Sequence, residues 1–235
     1  MEQEISASPP ITGISSMATR RALAALADAH ARATGQRVTI ESVGGVDAAR
    51  RVRDGEAFDF VVLAAGAIAS LAAVGRVDPA SRVDVARSRV AIAVAAGARK
   101  PDISSEATVR DAVRSARSIG TSTGPSGAHL ARLLDRWGLA DVVGPRIVQA
   151  PPGVPVGALV ARGDAELGFQ QLSEMIDVPG LEIAGELPPD IQEVTVFAAA
   201  LCRRSTRPGA VGALLAFLVS PVTAPVKRRY GMEPA

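Results

Sequence analysis

Four short runs of small residues carry most of the groups in this chain that could do chemistry. They are Gly13-Ile14-Ser15-Ser16, Ser42-Val43-Gly44-Gly45, Ser122-Thr123-Gly124-Pro125-Ser126-Gly127 and Pro151-Pro152-Gly153. Each stands where an extended apolar segment gives way to a helical one. A helix that starts in such a turn leaves its first backbone N–H groups without intrahelical acceptors, at the positive end of the helix dipole, and small side chains let a ligand approach them. The small residues Ser15, Ser16 and Ser126 and the glycines Gly44, Gly45, Gly127 and Gly153 would keep that backbone accessible. Turns of this kind, converging, make a cradle for a small anion rather than a centre for covalent chemistry.

Two further polar features stand close to the turns. Gln170-Gln171 follows a buried strand ending at Phe169, where buried amides must find partners; a ligand or interlobe hydrogen bond is the expectation, with helix capping as the alternative. His129 lies one turn into the helix that begins beside Ser126-Gly127, and three roles are open to it: ligand contact, structural residue, or acid/base. The chain has two histidines and one cysteine, which leaves a zinc site improbable, and no metal or cofactor is expected. The Gly124–Gly127 turn is no P-loop, because no Lys-Ser or Lys-Thr follows it, and it lacks the spacing of a dinucleotide fingerprint.

The elements that must position these residues alternate. Ile11–Ile14 reads as a short strand, and Ser15 or Ser16 as the N-cap of a helix running to about Ala33 and stopped by Gly35. Val38–Val43 reads as a strand, Val46–Arg53 as a helix ended by Gly55, Phe58–Leu63 as a buried strand, and Ile68–Val74 as a helix. Strand and helix in this rhythm predict crossovers and a parallel sheet. The middle of the chain repeats the rhythm: strands at Val90–Val94, Ser118–Gly120, Arg146–Val148 and Glu166–Phe169 alternate with helices at Glu106–Arg117, Ser126–Trp137 and Val154–Arg162. A terminal helix follows from Pro208 to Val219, with proline in a favoured first-turn position. Two apolar segments, Arg89–Ala95 and Val194–Leu201, frame the middle part, as in a chain that crosses into a second domain and returns. The expectation is two α/β lobes, residues 1–87 with 199–235 and residues 88–198, with a ligand cleft lined by strand ends and helix starts.

Composition narrows the function classes. At 235 residues and 48% hydrophobic the chain can build a sizeable core. Aromatic residues are only 3%, so stacking platforms for single-stranded nucleic acid are scarce. A net charge of +2 from 26 basic and 24 acidic residues argues weakly for a nucleic-acid partner, and none is expected. Cys202 lies next to the apolar run Val196–Leu201 and reads as a buried, inert thiol. The start, Met1–Ser6, has an acidic head and no apolar h-region, and no stretch is long enough to insert in a membrane. The chain as written reads as cytoplasmic, or as periplasmic if a leader has been removed; a partner permease is left open.

In their order, Gly13–Ser16, Ala33-Thr34-Gly35, Gly44-Gly45, Phe58–Val62, Gly124–Gly127, Ala165–Gly168 and Ser220-Pro221 with Tyr230–Pro234 resemble the molybdate-binding proteins of the type II periplasmic-binding-protein superfamily. The resemblance covers nearly the whole chain. It implies an oxyanion held without charge neutralisation, by hydroxyls and backbone N–H groups from both lobes, as the lobes close. Ser15 or Ser16 matches the family's first serine, Gly45 stands where a second serine is usual, and Ser126 matches an alanine whose N–H binds. Gly153 is near the next backbone donor, and Gln171, with Gln170 beside it, replaces a tyrosine. These departures point toward a larger, carboxylated ligand. The chain is also similar in type to the aconitate-isomerase branch of that superfamily, which implies an allylic proton shift on a tricarboxylate. His129 would then be the acid/base, with Ser15, Ser16 or Asp47 as the alternatives, and Arg20, Arg50 or Arg89 would be clamps. Other arginine pairs, His30, Trp137 and Phe197 read as solvated faces or core.

Overall fold

The structure, a computed structural model, describes residues 9–151 and 153–235. The Met1–Ser6 reading and Pro152 of the Pro151–Gly153 turn lie outside the described residues. Contacts divide the chain into two compact units, the first comprising the residues through Ala86 with Val196–Ala235, the second Arg87–Thr195.

The chain begins with strand β1 (Ile11–Ser16), helix α1 (Arg20–Thr34), β2 (Val38–Val43), α2 (Gly45–Asp54), β3 (Phe60–Ala64), α3 (Ala65–Ala73) and the long β4 (Val83–Ala95). The second unit continues with α4 (Glu106–Ser115), β5 (Ile119–Thr121), α5 (Pro125–Trp137), α6 (Ala140–Val143), β6 (Ile147–Gln149), α7 (Val156–Ala161), β7 (Leu167–Gln171), α8 (Leu172–Met175) and β8 (Leu181–Glu186). Strand β9 (Val194–Leu201) leads back to α9 (Pro208–Val219), α10 (Ala224–Arg229) and the short β10 (Glu233–Pro234).

In the first unit the strand order is β2-β1-β3-β9-β4. β1 pairs in parallel with β2 and β3, while β9 runs antiparallel to β3. Period-two alternation explains the two cores. Phe60, Val62, Phe197 and Ala199 pack with Leu23 and Leu26 of α1 and Leu214, Leu215 and Leu218 of α9, whereas Val61, Leu63, Ala198 and Ala200 pack with Ala48 and Val52 of α2 and Ile68 and Leu71 of α3. A sheet covered on both faces needs apolar residues at every position, which is why β3 and β9 read as continuous hydrophobic runs. Helix α1 stops at Gly35, whose φ of 74° is the left-handed C-cap conformation that glycine adopts without a Cβ penalty.

In the second unit the order is β4-β7-β5-β6, with β8 also on β4. β5 is parallel to β6 and β7, and β4 is antiparallel to β7 and β8. Ile92 and Val94 pack with Val109 and Val113 of α4 and Leu130 and Leu133 of α5. Ala91 and Ala93 point the other way, onto Met175 of α8. Ser105 caps α4 through a reciprocal capping box with Thr108.

Two local expectations need correction, and one strand was not read from sequence. β1 runs through both Ser15 and Ser16; Ser16 stands at the N-cap position of a 3-10 turn, Met17–Thr19, but makes no side-chain cap bond, and the N-cap of α1 itself is Thr19. Strand β4 begins at Val83, well before Val90, and it pairs with β9 and β10 as well as with β7 and β8. The segment Leu181–Glu186, unassigned from sequence, is a strand that β4 recruits across its antiparallel edge.

Candidate functional site

The first unit sets its polar groups at the carboxyl ends of β1 and β2. The two strands are in parallel register, with Ser15 opposite Ser42 and Ser16 opposite Val43. Ser15 Oγ lies 2.8 Å from Ser42 Oγ, so this hydroxyl is satisfied inside the sheet. Ser16 is only 7% exposed, and its Oγ has no hydrogen-bond partner among the described residues. Of the two serines that sequence could not separate, Ser16 therefore holds the unengaged hydroxyl. Gly44 is the N-cap of α2 and accepts the Ala48 N–H at 2.9 Å. Gly45 is the first residue of α2, and a Cβ built on it would sit 3.6 Å from Ser16 Cβ. The first N–H groups of α2, which have no acceptor within their own helix, thus adjoin the Ser16 hydroxyl, which is unpartnered among the described residues.

The second unit does the same at the ends of β5 and β7. Ser126, 1% exposed, lies in the first turn of α5, and its Oγ is unpartnered. Thr121, the last residue of β5 and 7% exposed, also has an unpartnered Oγ1. At the end of β7 the two glutamines separate. Gln170 spends both ends of its amide locally: Oε1 accepts the Val156 N–H at the start of α7 at 3.2 Å, and Nε2 donates to Glu174 at 2.7 Å. Gln171 donates from Nε2 to Thr195 Oγ1 at 2.8 Å, and its Oε1 has no partner. Helix capping, the alternative for this pair, is what Gln170 does.

Ser16 Oγ, Thr121 Oγ1, Ser126 Oγ and Gln171 Oε1 are buried polar atoms without partners among the described residues. Leaving one such group unsatisfied costs roughly 1–3 kcal/mol, and natural folds keep few of them. All four stand at the carboxyl ends of strands in parallel pairs, or in the helix turn just after one. Ser16, Ser126 and Gln171 were expected from sequence. Thr121 was not, because a β-branched residue at a strand end is what packing alone would select.

The remaining predicted residues are placed as follows. Gly127 would carry a Cβ 1.8 Å from the Ser122 carbonyl oxygen, so only glycine permits this turn. Gly153, at φ 77°, sits in a turn closed by the Val154 N–H on the Pro151 carbonyl at 3.0 Å. His129 is 8% exposed, with Nε2 2.7 Å from the Ile191 carbonyl and Nδ1 3.0 Å from Glu193 Oε2, and Glu193 also takes Arg132. Both ring nitrogens are engaged within the unit. Asp47 is bound by Arg50, Arg89 faces Glu186 at 3.6 Å, and Arg20 is exposed. Cys202 is buried, and burial, with the Asp59 charge adding to it, pushes its thiol up to about 12. Among the described residues no cluster of His, Cys, Asp and Glu is placed to hold a metal ion.

The model of one family, the bacterial extracellular solute-binding proteins, matches residues 11–233. Aconitate isomerase of a Pseudomonas species is 36% identical over 229 residues, covering 95% of this chain and 87% of that protein. Among solved structures, the periplasmic molybdate-binding protein of Azotobacter vinelandii superposes with a TM-score of 0.79 at 21% identity, covering 94% of this chain and 98% of that one. A sulfate-binding protein of Mycobacterium tuberculosis does so with a TM-score of 0.78 at 19% identity, over 96% and 87% of the two chains. At these identities the two structures speak for the fold alone.

Proposed function

The chain belongs to the bacterial extracellular solute-binding protein family and has the type II periplasmic-binding-protein fold, and from that premise we propose that it binds a small anion, an oxyanion or a carboxylate, through uncharged donors. The observation that carries this reading is the set of buried, unpartnered hydroxyls beside helix N-termini, Ser16 at α2 and Ser126 at α5. An anion supplies the acceptors that both the hydroxyls and the N–H groups lack. In this reading each unit offers its own set of uncharged donors to an anion.

The test is a thermal-shift panel of molybdate, sulfate, and di- and tricarboxylates. A ligand present at 100 times its Kd stabilises by about 2.7 kcal/mol. Stabilisation by at least one anion, reduced in Ser16→Ala, supports the reading; no response to any anion overturns it.

A second reading, isomerisation of aconitate, is favoured by one observation, the 36% identity to aconitate isomerase along nearly the whole chain. An allylic proton shift needs a group that takes a proton from one carbon and returns one to another. The titratable side chains nearest the turns are committed elsewhere, Asp47 to Arg50 and His129 to Ile191 and Glu193. Unengaged hydroxyls suit binding better than proton abstraction, which ranks binding first. Incubation with cis- or trans-aconitate in deuterated water, followed by proton NMR, separates the two: interconversion establishes the enzyme, and binding of aconitate without conversion removes it.

A further inference from the structure

We infer that Thr121 is a ligand contact, and that the second unit holds one carboxylate group with three uncharged donors: the hydroxyls of Thr121 and Ser126 and the side-chain amide of Gln171, oriented by Thr195. The inference deepens the anion-binding reading and rests on it.

The pleat places these groups together. β5 and β7 are parallel, with Ile119 opposite Leu167 and Gly120 opposite Gly168; one step further brings Thr121 beside Phe169. Residues beside one another in register share a sheet face, and so do residues two apart along a strand. Thr121, Phe169 and Gln171 therefore lie on one face. That face belongs to α5, since the Phe169 and His129 rings are 6.3 Å apart between centroids, and Ser126 is in the first turn of the same helix. The other face belongs to α7. A Cβ on Gly120 would meet Val156 at 3.1 Å, one on Gly168 would meet Val160 at 2.9 Å, and Gln170 bonds the Val156 N–H. From strand spacing and rise, the Thr121 and Gln171 Cα atoms are ~8 Å apart, a distance that one carboxylate and two side chains can span. Gly127 keeps the approach open, because a Cβ there would stand 3.0 Å from Thr121 Oγ1.

The amide of Gln171 supplies the specificity. With Nε2 on Thr195 Oγ1 at 2.8 Å, its unpartnered oxygen offers a carboxylate nothing. A hydroxyl both donates and accepts, so Thr195 holds the amide equally well turned over, donating to Oε1 while Nε2 faces the ligand. The turn preserves the Thr195 bond and replaces an orphan acceptor with a donor to the anion. Thr195 is thus a positioning residue for Gln171.

The experiment is isothermal titration of citrate, tricarballylate and trans-aconitate into the full chain and its variants, with the ligand-free melting temperature as a check on folding. The expected result is that Thr121→Val and Thr195→Val each weaken the tightest carboxylate by about tenfold or more. Thr121→Ser and Thr195→Ser restore it, and Gln171→Glu, which places a carboxylate against a carboxylate, abolishes it. In wild type, the Gln171 side-chain amide resonances move on ligand addition, which a purely structural amide would not show. Wild-type binding that is unchanged by Thr121→Val, or equalled by Gln171→Glu, overturns this inference and leaves the anion reading standing. Failure of every carboxylate to bind wild type, while an inorganic oxyanion binds, also overturns this inference alone; failure of all anions overturns both.

Discussion

Ser15 and Ser42 are register partners in the parallel pair β1–β2, and their hydroxyl oxygens meet at 2.8 Å. That bond divides two adjacent serines into different tasks: Ser15 ties the sheet together, and Ser16 is left with a buried hydroxyl and no partner. Substitution separates the roles. Ser15→Ala is expected to cost about 1 kcal/mol of stability through loss of one hydrogen bond. Ser16→Ala costs no stability, yet weakens anion binding by about tenfold or more, since hydrogen bonds to charged groups contribute about 1.5–3 kcal/mol. Urea denaturation and calorimetric titration of both variants check the pair; equal effects on both quantities would reject the division.

Gly45 invites the opposite experiment. Its missing Cβ would make only ordinary contact with Ser16, at 3.6 Å, so Gly45→Ser fits without displacing a neighbour. Removing a glycine from a helix start is neutral or stabilising by up to ~1 kcal/mol, and the new hydroxyl stands beside that of Ser16. The expected outcome is a larger thermal shift with molybdate or sulfate than wild type shows. A lowered melting temperature without ligand would contradict the geometry.

His129 is held from both sides, by the Ile191 carbonyl at 2.7 Å and by Glu193 at 3.0 Å. His129→Ala leaves a buried carbonyl without its donor, and the expected loss is about 1–3 kcal/mol in chemical denaturation. The same variant bears on the isomerase reading. If wild type converts aconitate and His129→Ala lowers turnover by about 10² to 10⁴ at unchanged affinity, the residue is the acid/base; conversion that falls only in step with stability assigns it to structure.

Asp59 sets a pH dependence in the first unit. Burial pulls its carboxyl upward, but hydrogen bonds from Ser205 Oγ at 2.6 Å and from the Thr12 N–H and Oγ1 at 2.9 and 3.1 Å, together with the Arg207 charge, outweigh it. The carboxyl is held below its ordinary value of 3.8. A depressed carboxylate contributes stability that is complete above that value and is lost as pH falls through the lower, folded value. Wild type is therefore expected to exceed Asp59→Asn in stability at pH 7, with the gap closing below about pH 4. Urea titrations across that range check it, and a gap independent of pH would exclude the carboxylate as its source.

Cys202 gives a simpler check. With its thiol pushed up to about 12 by burial and the nearby Asp59 charge, it is un-ionised in the native state at pH 8. Thiol reagents are expected to label it only after denaturant is added; rapid labelling of the native chain would mean that it is exposed.

The alternation of elements was legible in the chain because it depends on neighbours in sequence. Apolar runs at Phe60–Ala64 and Val194–Leu201, glycine stops at Gly35 and Gly55, and Pro208 at a helix start each carry their own physical cause. Those same signals put small polar residues at the ends of strands, and so located the turns of the candidate site. What sequence could not reach was direction. Whether Ser15 or Ser16 is free depends on which one faces Ser42 across β1–β2, and whether Gln170 or Gln171 is free depends on which face of β7 carries α7. Adjacent residues in a strand point oppositely, so these pairs are separated only when a second strand or a helix is docked against them. Thr121 shows the limit most plainly. In sequence it is one more β-former, and only the packing of β5, β7 and α5 shows that its buried hydroxyl has been left without a partner.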